Sequence, residues 1–293
     1  MEAGLRTRYP PPSDRECGPL FSRDLIWEGG DVRGHTPLRG ALAARAAEVA
    51  SRLREGPTGE EGLRRVVALM SSITNTASLS AESAAAVPPD VADGVFDGSA
   101  ASRLLRDTLA ACDADAASGA QHWIGVSRGH GASPRTRPAA RLLGSAAAVP
   151  AAPPAVKPFD YGLYTSTPLA AGYGLWRVYL DQYYGSDLFP LPWYTWRLTV
   201  PATATVATID DARGWVRLMA SFPRVHDGLV YPDWAGVAAR YDGVRVTFPA
   251  VIATQGIAFL TPHGPTAPAF WDVESTYWLR WSFTDATLVA TTV

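Results

Sequence analysis

Residues 205–222 read TVATIDDARGWVRLMASF, and the spacing of their apolar side chains changes halfway along the stretch. Thr205–Ile209 is rich in β-branched residues, which favours an extended strand. Asp210 belongs to the residue types preferred at helix N-caps. After it, the apolar residues recur at the i, i+3, i+4, i+7 spacing of an amphipathic helix, namely at Trp215, Leu218, Met219 and Phe222. The stretch therefore predicts a strand that leads directly into a helix.

The same mixture of strands and helices is predicted over residues 158–293. Apolar and β-branched runs predict further strands at Tyr161–Thr167, Tyr194–Val200, Gly243–Phe248, Val251–Thr254, Gly256–Leu260, Thr276–Phe283 and Ala286–Ala290. Helices are predicted around Leu175–Tyr184 and from Pro232 onward. The strands outnumber the helices and do not alternate strictly with them, which indicates an α+β domain rather than a doubly wound sheet. We expect mixed or antiparallel pairing and about three helices.

Residues 1–128 are predicted to form a small all-α region. Capping residues and apolar spacing predict three helices: one from Thr36 to the residue before Gly56, one from the capping box of Thr58 and Glu61, and one over Ser99–Cys112. Such helices either form a bundle of their own or dock on the second domain. A role in targeting, delivery or regulation is expected for this region.

Residues 129–157 are predicted to be a linker between the two regions. From Gly129 to Pro158 the chain holds six prolines, nine alanines and no aromatic residue. This composition buries too little surface to offset the entropy lost on ordering the chain. We therefore expect a mobile, partly polyproline-like segment, with the α+β domain beginning at residue 158.

The charge balance excludes several classes of partner. The chain has 26 Lys and Arg against 28 Asp and Glu, a formal net charge of -2, which argues against binding nucleic acid through a basic patch. No apolar run reaches membrane-spanning length, and the N-terminal residues lack the pattern of a signal peptide. We expect a soluble, cytoplasmic protein without a membrane partner.

Three residue types limit the chemistry. Lys157 is the only lysine and lies between Val156 and Pro158, a context that suits neither a phosphate-binding loop nor a Schiff base with pyridoxal phosphate. The two cysteines and five histidines show none of the spacings typical of metal ligands. The sequence thus predicts no metal site.

The stretch Trp271–Thr276 reads WDVEST and contains the strongest candidate for an active-site acid. Glu274 is the only glutamate in residues 158–293, against ten aspartates. A carboxylate among large aromatic side chains is partly desolvated, as many active-site acids are. The alternative is a structural ion pair with Arg280 or Arg245, and the sequence leaves both interpretations open. A catalytic role requires that the carboxylate face an open cleft and not be sealed against a guanidinium group.

Asp272 precedes Glu274 by two residues in this stretch. On an extended strand the two side chains would share a face, with Cα atoms ~6.6 Å apart from two rises of ~3.3 Å. Glycosidase carboxylates approach the scissile bond from opposite sides and so normally come from different segments. We therefore place Asp272 beside Glu274 in the predicted catalytic site, in a positioning role rather than as a member of a glycosidase pair.

Further candidates for ligand binding are polar and aromatic side chains of the same region. They are Tyr164, Thr165, Ser166, Thr167, Arg177, Trp193, Trp196 and Arg245. The hydroxyl groups either line a polar cleft or edge a sheet, where threonine is common. The arginines either bind a pyrophosphate or are ordinary charges of the fold, and the tryptophans either stack on a planar ligand or pack in the core.

The order of these motifs resembles that of bacterial ADP-ribosyltransferases of the toxin type. The resemblance covers about residues 158–293 and rests on Leu163–Thr167 near the start and Asp272–Glu274 near the end. It implies a split-sheet α+β core with NAD in a cleft between two sheets, a glutamate that contacts the nicotinamide ribose, here Glu274, and a hydroxyl motif that supports the same pocket. Thr165 stands where the family usually has Arg or His, and Asp272 where it usually has Glu or Gln.

The function that this resemblance implies is NAD-dependent ADP-ribosyl transfer or NAD glycohydrolysis. NAD is then the substrate, a nucleotide is the small-molecule partner, and a protein is the expected acceptor of a transferase. Two alternatives remain open. One is a non-catalytic, aromatic-rich module that binds a sugar or a protein partner, and the other is a biosynthetic enzyme with a small aromatic-lined pocket.

Overall fold

The computed structural model describes residues 36–55, 59–74, 86–112, 119–126, 137–140, 154–158, 162–169, 172–184, 186, 189–268 and 271–293. These residues combine helices with small mixed and antiparallel sheets, which confirms the α+β prediction. Among the helices in these ranges, none has both the length and the apolar character needed to cross a lipid bilayer.

The N-terminal part of the described chain is mainly helical. Its helices are α1 (Thr36–Glu55), α2 (Gly59–Thr74), α3 (Pro89–Asp97) and α4 (Ala100–Cys112). The three predicted helices are confirmed as α1, α2 and α4, whereas the short α3 was not predicted. Ser99 precedes α4 and caps it, since its hydroxyl accepts a hydrogen bond from the backbone N–H of Ser102 at 3.2 Å. The predicted cap of α2, Thr58, lies outside the described residues.

A four-stranded sheet carries the motifs that the sequence singled out. Its order is β2 (Leu163–Thr165), β10 (Ser275–Trp278), β7 (Gly243–Val246) and β4 (Val206–Ile209). Strand β10 pairs antiparallel with both β2 and β7, and β4 pairs parallel with β7. Because β10 lies between β2 and β7, side chains near its start can contact residues of both neighbours.

A three-stranded antiparallel sheet lies beside it. Its order is β1 (Ala120–Val126), β3 (Trp193–Thr199) and β11 (Asp285–Thr292). The backbones of His122 and Ser166 exchange hydrogen bonds of 2.8 and 2.9 Å and so connect the two sheets. The structure differs here from the prediction of an all-α region up to residue 128, because β1 belongs to that region and pairs with β3.

Two hairpins contribute the other strands of the described residues. They are formed by β5 (Pro223–His226) with β6 (Leu229–Pro232) and by β8 (Phe259–Thr261) with β9 (Gly264–Thr266). The turn of the first hairpin has positive φ at both Asp227 (48°) and Gly228 (75°), as a tight Asp-Gly hairpin turn requires.

Four helices accompany these strands: α5 (Leu175–Asp181), α6 (Ala212–Ser221), α7 (Trp234–Arg240) and α8 (Phe248–Thr254). Helix α6 is capped by Asp211, whose carboxylate accepts from the Gly214 N–H at 2.6 Å, one residue after the predicted cap. The predicted strand Val251–Thr254 is wrong, since these residues belong to α8. Nearly every residue of α8 is buried, and a short apolar run without a polar face cannot be assigned to strand or helix from its pattern.

The helices of the N-terminal part share a hydrophobic core with the sheets and helices that follow. Two polar contacts reinforce this packing. The Arg45 guanidinium donates to the Ile252 carbonyl at 3.1 Å, and the Asp93 carboxylate accepts from the Ala212 N–H at 2.7 Å, at the start of α6. The predicted domain boundaries at residues 128 and 157 stay predictions, because most of the chain between them lies outside the described residues.

The described parts of the predicted linker are held against the α+β region. Arg137 forms an ion pair of 2.8 Å with Asp285, and the Trp234 indole N–H donates to the Ala155 carbonyl at 2.7 Å. Lys157 is only 4% exposed. A mobile linker was expected because this segment has no aromatic residue of its own, but aromatic residues of the following region cover its end.

Candidate functional site

A cleft of about 500 Å³ opens over the end of the four-stranded sheet. Its walls on the side of the sheet come from the chain after β2, the turn from β4 to α6, the turn from β7 to α8 and the residue before β10. The other walls come from the helices α3 and α4 and from the start of α5. The charged and hydroxyl side chains among its lining residues are Asp97, Arg106, Thr167, Asp210, Asp211, Arg245, Thr247 and Glu274. The cleft therefore contains the sequence-predicted acid, one predicted hydroxyl residue and one predicted arginine.

The Glu274 carboxylate is held by three hydrogen bonds on the floor of this cleft. Its Oε1 accepts from Nε of Arg245 at 3.0 Å and from the Thr167 hydroxyl at 2.7 Å, and its Oε2 accepts from the Thr167 backbone N–H at 3.0 Å. The sheet register explains the arrangement, because Thr276 pairs with Thr165 on one side and with Arg245 on the other. Glu274, two residues earlier, is thus brought beside both partners.

The ion pair of Glu274 resolves one alternative that the sequence left open. Its partner is Arg245, while Arg280 lies 3.6 Å from Asp242. The Glu274 side chain is 6% exposed and that of Arg245 is 38% exposed. The carboxylate lines a cleft, as a catalytic role requires, but it is nearly buried and paired with a guanidinium group, as the structural alternative predicts. Arg245 is the more exposed member of the pair.

Asp272 does not line the cleft with Glu274. The prediction that both carboxylates share a face assumed an extended strand, but β10 begins only at Ser275. Asp272 is 8% exposed, and its negative charge favours the protonated form of Lys157. The two carboxylates of this stretch thus belong to separate polar sites.

Two of the predicted hydroxyl residues are buried, Thr165 in β2 and Ser166 directly after it. The Thr165 hydroxyl donates to Gln121 Oε1 and accepts from the Trp278 indole N–H, both at 2.7 Å. The Ser166 hydroxyl accepts from the Trp176 backbone N–H at 3.3 Å, and its residue is fully buried. Since these hydroxyls are used within the fold, ligand contact by Thr165 and Ser166 is not supported, and Thr167 alone of the predicted hydroxyl motif lines the cleft.

Arg177 lies away from the cleft. Its Nε is 2.7 Å from the Asp181 carboxylate, one turn later on α5, and its Nη1 donates to the Thr292 hydroxyl at 2.7 Å. The guanidinium carbon is also 5.4 Å from the ring centre of Trp193. Its donors join α5 to β11, and pyrophosphate binding by Arg177 stays a prediction that this cleft does not support.

The two predicted stacking tryptophans belong to the interior. Trp193 is fully buried, and its indole N–H donates to the Phe189 carbonyl at 2.9 Å. Trp196 is 7% exposed and packs in a smaller apolar cluster with Leu198 and Trp278. Both side chains therefore pack in the core, and neither ring face is open to a ligand.

Tyr164 and Lys157 form part of an aromatic cluster that the sequence did not predict. The ammonium of Lys157 lies 5.0 Å from the ring centre of Tyr164, 5.2 Å from that of Trp271 and 5.6 Å from that of Trp176. Burial lowers the pKa of Lys157 to about 8, and the charge of Asp272 opposes this shift. Tyr164 is therefore a neighbour of the chain's only lysine and not a lining residue of the cleft.

Other functional candidates were also missed from the sequence. Asp97 and Arg106 reach the cleft from α3 and α4, and Asp210 reaches it from the turn before α6. Nothing in their local sequence distinguishes them from ordinary surface charges. Within the described ranges, no group of three or more His, Cys, Asp or Glu side chains is arranged to hold a metal ion.

The comparisons with known proteins find no match for this chain. No protein-family model matches the chain, and neither the search of curated proteins nor the search of solved structures finds a match. The interpretation of the site therefore depends on its residues and contacts.

Proposed function

We propose that the cleft over Glu274 binds NAD and that the chain is an NAD-dependent ADP-ribosyltransferase or NAD glycohydrolase. The observation that carries this proposal is the presence of a carboxylate, a hydroxyl and a guanidinium group on one cleft floor: Glu274, Thr167 and Arg245. A cytoplasmic location and, for a transferase, a protein acceptor are parts of the same proposal.

The remaining hydrogen-bonding capacity of the floor suits a ribose phosphate. A carboxylate oxygen has two lone pairs, and Oε2 of Glu274 uses one of them for the Thr167 N–H. The other can accept from a ribose hydroxyl. Within the described residues, Arg245 uses its Nε for Glu274 and makes no hydrogen bond through its two Nη atoms, which can donate to a phosphate oxygen.

The chemistry requires stabilisation of a positive charge on the ribose. Cleavage of the bond between C1′ and the nicotinamide nitrogen passes through an oxocarbenium-like transition state, as glycoside cleavage does. A fixed carboxylate nearby stabilises that charge. The bonding electrons leave with the nicotinamide, which becomes neutral, and a water or an acceptor nucleophile bonds to C1′ and loses a proton. NAD and water thus give ADP-ribose, nicotinamide and a proton.

The proposal is tested by nicotinamide release from NAD, measured with the full chain and with Glu274→Gln. Removal of the charge beneath the ribose is expected to lower turnover at least about 100-fold, the effect of losing one electrostatic stabiliser of a transition state. Glu48→Gln makes the same chemical change on the exposed face of α1 and is expected to keep wild-type turnover. A Glu274→Gln protein that folds and turns over NAD at the wild-type rate contradicts the assignment.

A non-catalytic binding module is the second candidate, and the burial of Glu274 favours it. All three hydrogen bonds to the carboxylate come from the protein, and the side chain is only 6% exposed. Such an arrangement can serve to shape a recognition surface. Thermal unfolding with NAD, ADP-ribose and simple sugars separates the two functions, since a ligand that binds the folded state raises Tm. A rise in Tm without release of nicotinamide supports binding alone.

A further inference from the structure

The chain's only lysine is enclosed by aromatic rings from three separate elements. Lys157 is 4% exposed, and its ammonium lies 5.0–5.6 Å from the ring centres of Tyr164, Trp176 and Trp271. These residues belong to β2, to α5 and to the segment before β10. A cation within about 6 Å of a ring centre is attracted by the electron-rich ring face, so this cage provides three such faces.

The occupant of the cage stays protonated at neutral pH although burial opposes its charge. Burial disfavours the charged form of Lys157, while the Asp272 carboxylate favours it. The resulting pKa of about 8 leaves the amine mostly protonated at pH 7. The rings act in the same direction as Asp272.

The residue type at this position also points to an ammonium site. The chain has 26 basic residues, and Lys157 is the only one that is not arginine. An ammonium is a compact point charge, whereas a guanidinium group is planar and extended. Three rings that surround one point therefore suit the lysine head group better than the arginine used elsewhere in the chain.

We propose that the rings of Tyr164, Trp176 and Trp271 form a binding site for a primary ammonium group whose occupant is the chain's own Lys157. The segment that carries Lys157 is thereby fastened to β2, to α5 and to the stretch that leads to Glu274. This site is separate from the cleft, and its existence does not depend on the proposed reaction.

The site is tested by emptying it and adding a free ammonium ligand. Lys157→Ala removes three methylene groups and the ammonium, which together correspond to n-propylammonium. A buried cavity made by truncation can bind a small molecule that fits it. At about ten times its Kd, n-propylammonium is expected to raise the Tm of Lys157→Ala by about 3 °C more than that of the wild type.

Two controls distinguish the effect of the ligand's charge from the effect of filling the cavity. Equimolar 1-propanol has nearly the same size without charge and is expected to give no comparable rise, and equimolar sodium chloride controls for ionic strength. Arg240→Ala removes an exposed cation from its position 5.4 Å from the Tyr241 ring and is expected to show no specific response. Equal effects of propanol and propylammonium, or no effect on Lys157→Ala alone, overturn the proposal.

A measurement on the wild-type protein covers the case in which Lys157→Ala fails to fold. Because the chain has one lysine, an amine-acylating reagent can modify only Lys157 and the α-amino group, which peptide mass spectrometry distinguishes. Acylation of Lys157 is expected to be at least about 100-fold slower in the native than in the denatured protein, because reaction requires local opening of the cage. Equal rates in the two states overturn the proposal.

A consequence for the cleft rests on the proposed function. Lys157 acts there as a positioning residue, because Trp271 of its cage and the adjoining Asp272 precede Glu274 in the same segment. Lys157→Met is expected to lower kcat for nicotinamide release more than it raises KM, with partial recovery in Lys157→Arg. If the wild type releases no nicotinamide, the proposed function fails, while the propylammonium and acylation experiments still decide whether the cage exists.

Discussion

Two carboxylates in one short segment, Asp272 and Glu274, are both buried but have cationic partners of different exposure. Glu274 faces a cleft, accepts three hydrogen bonds and is paired with a half-exposed arginine. Asp272 acts through its charge on Lys157, which aromatic rings enclose. Residues two apart in sequence therefore serve one site whose cation is partly exposed to solvent and one whose cation is buried.

The difference has energetic consequences. An ion pair that water reaches contributes little to stability, because water substitutes for a lost partner. A charge sealed in the interior depends on its neighbours, because removal of one partner leaves the other desolvated without compensation. Substitutions around Lys157 should thus affect folding most, and substitutions around Glu274 should affect ligand chemistry most.

Lys157→Met is the strongest test of this comparison. Methionine fills similar space without charge and so avoids the burial that lowers the pKa of Lys157, and the free energy of unfolding at pH 7 is expected to rise by about 3 kcal/mol. Asp272→Asn alone should instead lower the free energy of unfolding, because the buried ammonium then loses the opposite charge that favours it. Chemical denaturation of the two variants measures both effects, and an Asp272→Asn protein as stable as the wild type would contradict the role given to Asp272.

The pH dependence of stability sharpens the same contrast. The pKa of Lys157 is about 8 in the folded protein against 10.5 ordinarily, so the unfolded chain binds more protons between these values. Stability of the wild type relative to Lys157→Met is therefore expected to rise between pH 8 and 10.5, by about 3 kcal/mol in total. Burial raises the pKa of Tyr164, but that group is present in both proteins and largely cancels in the difference. A flat difference curve contradicts the buried ammonium.

The two sites were not equally predictable from the sequence. Glu274 stood out as a lone glutamate among tryptophans, and its local sequence suffices to suggest a site. Its partner did not follow, because a choice between Arg245 and Arg280 requires the register of β10 against β7. The lysine cage was out of reach, since its rings come from residues distant in the chain and the composition around Lys157 predicts a linker.

The elements of the fold, like the two sites, were predictable only where the local sequence determines them. Strand β4 and helix α6 follow from the change of period within residues 205–222, which is local. Helix α8 was mistaken for a strand because its apolar residues face the core all round. Strand β1 was missed because its assignment depends on pairing with β3, a contact that local sequence does not encode.

Arg245→Met tests the half-exposed pair. It leaves Glu274 with only the two donors of Thr167, and the free energy of unfolding is expected to fall by about 2 kcal/mol, opposite in sign to Lys157→Met because a buried carboxylate loses its cation here. Arg280→Met is the matched control, since that arginine lies 3.6 Å from Asp242 and is half-exposed, and about 0.5 kcal/mol is expected there. A gain of stability in Arg245→Met like that in Lys157→Met would remove the distinction between the two sites.

Thr167→Val tests the smallest expected effect, which is the loss of the hydroxyl that donates to Oε1 of Glu274 at 2.7 Å. Valine keeps the shape and the backbone N–H but deletes this donor, so denaturation should show a loss of about 1 kcal/mol. Thr167→Ser keeps the hydroxyl and is expected to remain closer to wild type. If serine destabilises as much as valine, the threonine methyl group contributes the stability, and the hydroxyl is then available to a ligand at little cost. If only valine destabilises, the hydroxyl fixes the carboxylate, and a substrate must bind the lone pair of Oε2 that the protein leaves unused.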